Sequence, residues 1–244
     1  MSIIDHDRLF KEVLSTFLAE FLSGFYGQAW QQIEPNSLEL KDKELFTDVT
    51  SGQRYAADLV VLAKLKNGDR VVLHVEHTSS STSNFDRRMF LYFSRLHEKY
   101  ACPVFQIVVC SFDTPQRAER DRYRVKAFGR TSLILRYNVL QLNRLHWRDF
   151  VSIPNPVTCA FAAKMKMARS QRPIVKLECL RTLSQLGLNP ARTQLVSGFI
   201  DTYLKLNAEE ETIFRSRLQE ILPEQQEEVM QIVTTWMEQG IEDN

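Results

Sequence analysis

Several familiar signatures are missing from this sequence. Its four cysteines (Cys102, Cys110, Cys159, Cys179) form no C-x-x-C pair and have no histidine at ligand spacing, which excludes a zinc finger or ribbon. They sit in apolar runs, the pattern of buried thiols in a reducing compartment. No window reaches about eighteen apolar residues, so no membrane span is expected. No basic-then-apolar stretch opens the sequence, and the expectation is a cytoplasmic protein without a secretory signal. Internal repeats and low-complexity tracts are absent, which sets aside solenoids and biased linkers. The three tryptophans are scattered and make no stacking platform for single strands. Neither sign of charge dominates, because the net charge is +1. That total leaves nucleic acid open as a partner only if basic groups cluster.

They do cluster. Arg117, Arg120, Arg122, Arg124, Lys126, Arg130 and Arg136 lie close together, whereas the C-terminal end is acidic. The cluster reads in two ways. It could track a DNA backbone, or, with Asp113, Glu119 and Asp121 interleaved, it could be a solvated loop and strand edge.

The length of 244 residues and the 44% hydrophobic content suit one large domain, or one domain with an appendix, around a real core. Apolar positions three and four apart predict a helix from Asp7 to about Gly27, with Asp5 or Asp7 as its cap. A strand is expected around Ser37 to Phe46. Strands at Tyr55 to Leu65 and Arg70 to Thr78 flank Lys66-Asn67-Gly68 as a hairpin. Ser79 to Ser83 reads as a polar loop. Asn84 is positioned to cap a helix reaching about Tyr100, with Phe85, Met89, Tyr92, Phe93 and Leu96 on its buried stripe. Val104 to Ser111 is almost continuously apolar, as a strand covered on both faces would be. Arg122 to Phe128 and Ser132 to Leu142 read as two further strands. Pro154 and Pro156 bracket a linker, and the remainder is helical: 157–169, 173–186, 190–206, 208–222 and 223–241, with Pro173, Pro190 and Pro223 in first turns and Asn207 as an N-cap. In that region Leu195, Phe199, Thr202 and Leu206, and then Val229, Ile232, Val233 and Trp236, have core-like spacing. The fold class is therefore α/β with a mixed sheet in the order αβββαβ, over residues 1–150, plus an all-helical region over 157–244.

The hairpin carries the candidate chemistry. If Gly68 takes a left-handed conformation and closes a three-residue loop, Leu65 pairs with Asp69. Counting back, Asp58 faces Glu76, Val60 faces His74 and Leu62 faces Val72. Leu59, Val61, Ala63 and Leu65 then form one apolar face with Val71, Leu73 and Val75, so register agrees with burial. Facing carboxylates repel unless a positive charge lies between them, and a divalent cation completed by water and phosphate oxygens would supply it. A solvated rim is the bland alternative. Thr78 and His74 share that face, while His77 points the other way.

The first 150 or so residues also resemble the recombination-promoting nuclease (Rpn) and transposase-like family of the PD-(D/E)XK superfamily, particularly its cyanobacterial type. The matching stretches are Asp5 to Glu12, Lys43 to Val49, Ala57 to Val61, His74 to His77, Arg87 to Phe90 with Tyr92, Leu96 to Tyr100, Leu142 to Leu145 and Trp147 to Phe150. This resemblance implies a restriction-endonuclease-like core and a Mg²⁺- or Mn²⁺-dependent DNA endonuclease linked to recombination or mobile elements. It implies Asp58 and Glu76 as metal ligands, with Glu12 supporting the site. The third superfamily position, usually Lys or Gln, is Thr78. Either its hydroxyl orients water, or Lys64, His74 or His77 substitutes, or activity is reduced. Arg88, one turn from Tyr92, is a candidate phosphate contact, and Lys64 is a second. The alternative is a catalytically weakened nuclease fold that binds DNA or protein, and a third reading is an interaction protein built on the helical tail. DNA is the expected partner, a homodimer is open, and no membrane is involved.

Overall fold

A computed structural model describes residues 6–41, 45–47, 54–82 and 84–242. In chain order, α1 (His6–Thr16), α2 (Leu18–Phe25) and a short α3 (Gly27–Trp30) precede the strands β1 (Glu39–Leu40), β2 (Leu45–Thr47), β3 (Arg54–Ala56), β4 (Leu59–Lys64) and β5 (Arg70–Thr78). Then follow α4 (Phe85–Tyr100), β6 (Val104–Cys110), β7 (Arg122–Ala127), β8 (Arg130–Arg136) and β9 (Asn138–Gln141). The C-terminal helices are α5 (Pro156–Ala162), α6 (Arg172–Ser184), α7 (Pro190–Tyr203), α8 (Ala208–Gln219) and α9 (Pro223–Glu242). The mixed α/β class and the C-terminal helices are as expected. Among the described residues, no helix is long and apolar enough to cross a membrane. The chain divides into two compact units: 1–15 with 27–141, and 16–26 with 142–244.

In the first unit the main sheet runs β1-β4-β5-β6-β9. β1, β4 and β5 pair antiparallel, while β5, β6 and β9 pair parallel. Gly68 sits at φ +93°, and the Leu65 amide donates to the Asp69 carbonyl, closing the three-residue loop. The register follows, with Val60 opposite His74 and Leu62 opposite Val72. Residues 71–77 of β5 are buried throughout, because both sheet faces are covered. Under α4, Val60, Val72 and Val108 pack with Met89, Tyr92 and Leu96. Asn84 precedes α4 but makes no side-chain cap.

Five elements differ from expectation. The strand expected around Ser37 to Phe46 is split between β1 of the main sheet and β2, which pairs with β3. The helix expected over 157–169 stops at Ala162. The expected helix from Asp7 to Gly27 breaks at Phe17 (φ −126°, ψ 38°), with no Gly or Pro to announce it. Asp5 lies outside the described residues, as do Lys43, Glu44, Asp48, Val49 and Ser83. The Tyr55 to Leu65 strand is interrupted at Ala57-Asp58, so Asp58 occupies a bend before β4. The strand expected from Ser132 to Leu142 divides at Tyr137, because β8 returns on β7 whereas β9 joins the main sheet beside β6.

The β7–β8 turn places Phe128 at φ +50° and Gly129 at φ +74°. Left-handed backbone at a bulky L-residue costs roughly 1–2 kcal/mol. Asn tolerates that conformation better, so Phe128→Asn is expected to stabilise the fold by about 1 kcal/mol, read as a higher urea midpoint at unchanged m-value.

In the second unit α5 is wholly buried, with Phe161 against Phe21 of α2 (6.2 Å between centroids) and Phe199 of α7 (5.7 Å). Asn207 and Glu210 form the capping box of α8, and Asn155 and Asn189 cap α5 and α7. On α7 the buried row is Val196, Phe199 and Ile200, one position from the expected Leu195 spacing. Val229 is buried, while the side chain of Trp236 lies outside the described residues. All four cysteines are free and buried.

Candidate active site

Glu76 projects from β5 toward α4 and is only 2% exposed. Its Oε1 accepts the backbone N–H of Asp58 at 2.9 Å and faces His74 Nε2 at 2.9 Å. The other oxygen lies 3.8 Å from Arg88 Nη2 on α4. The His74 tautomer follows from its neighbour. The Gln106 amide nitrogen donates to the Met89 carbonyl (3.0 Å) and lies 3.0 Å from His74 Nδ1. A donor there makes Nδ1 the acceptor, so Nε2 carries the proton toward Glu76. This chain anchors the buried carboxylate to helix backbone, as burial of a charge requires.

Asp58 enters from the bend before β4. Its Oδ2 accepts the His77 amide at 2.9 Å, and its Oδ1 pairs with Lys11 Nζ on α1 at 2.9 Å. Burial, and then the charge of Glu76, push the Asp58 carboxyl above the usual carboxylate range against those partners. Lys11 also holds Asp7 Oδ2 at 2.6 Å. Burial works against the Lys11 charge, but Asp7 and Asp58 outweigh it and raise its pKa. Asp7 Oδ1 meets His77 Nδ1 at 3.0 Å, and His77 Nε2 meets Ser111 Oγ at 2.8 Å. Phe10 stacks on the His77 ring with centroids 4.0 Å apart.

Two polar chains therefore converge on the start of β4, one from each side of the sheet. Met89, Gln106, His74 and Glu76 form the first. Ser111, His77, Asp7, Lys11 and Asp58 form the second. Within the second, Ser111, His77 and Asp7 have the spacing of a nucleophile, base and orienting acid. The Ser111 hydroxyl is enclosed, with the residue 5% exposed and the His77 side chain 1% exposed. Burial also holds the His77 ring below its usual imidazole pKa despite Asp7. The arrangement ties α1 to the sheet through buried hydrogen bonds.

The other sequence candidates separate. Arg88 adjoins Glu76 and lies over the Phe85 ring at 4.6 Å, with its buried Nε lacking a hydrogen-bond partner among the described residues. Thr78 is on the same strand, but its hydroxyl donates to the Ser80 carbonyl at 2.7 Å and not toward either carboxylate. Glu12 is exposed on α1 and makes no contact with Asp58 or Glu76. Lys64 is at the far end of β4, roughly 20 Å from Asp58 at the rise of a strand. His77 faces the α1 side as expected, and His74 faces the site. Lys11 is the basic group that pattern reading missed. Its signal was spacing: it lies four residues after Asp7, on the same face of α1 as that acid.

Beyond Thr78 lies a cleft of about 550 Å³, lined by Thr78, Phe85, Glu119, Arg117, Arg120 and Tyr137 among others. It sits at the C-terminal ends of β5 and β6, the place where ligands enter open α/β sheets. Among the described residues no three His, Cys, Asp or Glu side chains gather as a metal cluster. Comparison with models of known families, with curated proteins and with solved structures returns no match.

Proposed function

We propose that this chain is a divalent-metal-dependent deoxyribonuclease of the PD-(D/E)XK type, akin to the recombination-promoting nucleases, with Asp58 and Glu76 as its metal carboxylates. The observation that carries the reading is the adjacency of Asp58, in the bend before β4, and Glu76 on β5: the Asp58 amide donates to Glu76 Oε1 at 2.9 Å, while the two carboxylates take their other partners from opposite sides of the sheet. Each acid also faces a cation from a different helix, Lys11 from α1 and Arg88 from α4. The order α1, β1, β4, β5, α4, β6, with β5 and β6 parallel, supports a restriction-endonuclease-like core.

The donor set suits Mg²⁺ or Mn²⁺. Mg²⁺ takes a few carboxylates and completes its shell with water and phosphate oxygens, and burial together with the charge of Glu76 raises the Asp58 carboxyl, a repulsion that a divalent ion would relieve. Such an ion, when bound, supplies an acidified water and offsets charge on the phosphate. The chain's own residues do the rest. His74 and Gln106 hold Glu76 in one orientation. The His77 amide holds Asp58. Arg88 is placed to steady a phosphate beside Glu76, and Lys11 brings the positive charge that Thr78 lacks. Nicking of supercoiled plasmid with Mg²⁺ or Mn²⁺ tests the reading. Wild type should accumulate nicked circles and Asp58→Asn should not. Intact plasmid with wild type under both metals would sink it.

One observation favours the weakened alternative, in which the fold binds DNA without cutting efficiently: the Thr78 hydroxyl is committed to Ser80. On that reading Thr78→Lys is expected to raise the nicking rate about tenfold, by placing a cation next to the carboxylates. An unchanged rate would set the alternative aside.

A further inference from the structure

The β7–β8 hairpin is left unused by the catalytic reading. Opposed residues in an antiparallel pair share a face. Tyr123 opposite Leu135 and Val125 opposite Leu133 make a half-buried apolar face, anchored where Tyr123 stacks on Phe90 of α4 with centroids 5.0 Å apart. The other face is exposed and basic. It carries Arg122 opposite Arg136 and Arg124 opposite Ile134, with Lys126 nearer the tip, while Arg130, opposite Ala127, lies on the other face. Like charges placed directly opposite weaken a ribbon unless an anion lies over them. Asp121 answers Arg122, but Arg124 and Lys126 form no ion pair among the described residues. At the tip Phe128 is fully exposed at φ +50°, where Asn or Gly is the ordinary occupant. A strained backbone that presents a large apolar ring to solvent is a feature to connect with function.

We propose that this hairpin is a DNA-binding arm: its basic face lies along the phosphates of duplex DNA, and Phe128 wedges against a base step. The two parts answer two parts of the ligand. Guanidinium and ammonium groups spaced along a ribbon match a phosphate backbone without reading its sequence. A two-stranded ribbon is narrow enough to enter a groove of the duplex, and apolar tips inserted between base steps unstack them. The proposal stands apart from cleavage, because an arm can grip DNA whether or not the carboxylates cut it.

The test is fluorescence anisotropy of a labelled duplex in EDTA over a salt series, with the unpaired strand in parallel. Binding by wild type in EDTA reports the arm without a divalent ion at the carboxylates, which separates it from the metal site. The triple variant Arg124→Gln, Lys126→Gln, Arg136→Gln should flatten the slope of log affinity against log salt by about 2.7. Phe128→Asn should weaken binding about tenfold at every salt concentration without changing the slope. An unaltered slope in the triple variant, wild-type affinity in Phe128→Asn, or equal binding of the unpaired strand would each overturn the proposal.

Discussion

Glu76→Gln is expected to lower plasmid nicking by about a thousandfold, close to 4 kcal/mol of transition-state stabilisation, while the fold persists. The substitution is nearly isosteric. A glutamine oxygen can still accept from the Asp58 amide and His74 Nε2, the two bonds that now reach Oε1. What is lost is the charge, and with it the attraction for a divalent ion. A buried carboxylate is costly to keep even with an imidazole at 2.9 Å and a guanidinium at 3.8 Å, so the neutral amide should cause little loss of thermal stability. The prediction therefore has two readouts that move differently: nicking collapses and the melting temperature holds. If Glu76→Gln nicks as fast as wild type, Glu76 is a structural anchor for β5 and the metal assignment fails. If the variant unfolds, the His74 to Glu76 bond needs the full charge and the activity assay must move to Asp58→Asn.

Some of this site was legible in the sequence and some was not, for reasons that can be traced residue by residue. Gly68 announced the hairpin loop, and the apolar alternation of Leu59, Val61 and Ala63 against Val71, Leu73 and Val75 left one consistent register. Those are local signals, set within twenty residues of chain. The face that carries His74 and Glu76 is covered by α4, so both residues are buried, at 0% and 2% exposure, and not on a solvated rim. Counting along a strand gives the face of a side chain but not which face the following helix, α4, will cover. The bend at Asp58 was equally hidden, because a carboxylate that accepts the His77 amide looks in sequence like any strand-end acid. Phe17 breaks the first helix inside an unbroken apolar stripe, since residues 16–26 group with the C-terminal helices. Tertiary packing overrode propensity there. Tyr137 divides one β-rich run between two sheets for the same reason.

Lys11→Met tests how far the site has moved its positive charge off β5. The Lys11 ammonium is shared between Asp7 Oδ2 at 2.6 Å and Asp58 Oδ1 at 2.9 Å, and it stays charged because those acids outweigh its burial. Without it, Asp58 faces Glu76 with no cation on its own side, and the demand for a divalent ion grows. Half-saturation by Mn²⁺ should therefore fall several-fold, as a competing cation has been removed. Turnover at saturating metal should drop about a hundredfold, because the charge that would otherwise come from the Thr78 position is gone. Affinity for the ion and rate of cutting thus move in opposite senses. A merely structural lysine would not split them: its loss would leave both unchanged or harm both. Lys11→Arg should restore most of the rate, since a guanidinium also pairs with two carboxylates. Tighter metal binding with an unimpaired rate would show that Lys11 only guards Asp58 in the absence of an ion. The water-orienting role would then have to be sought at His74, whose Nε2 already faces Glu76.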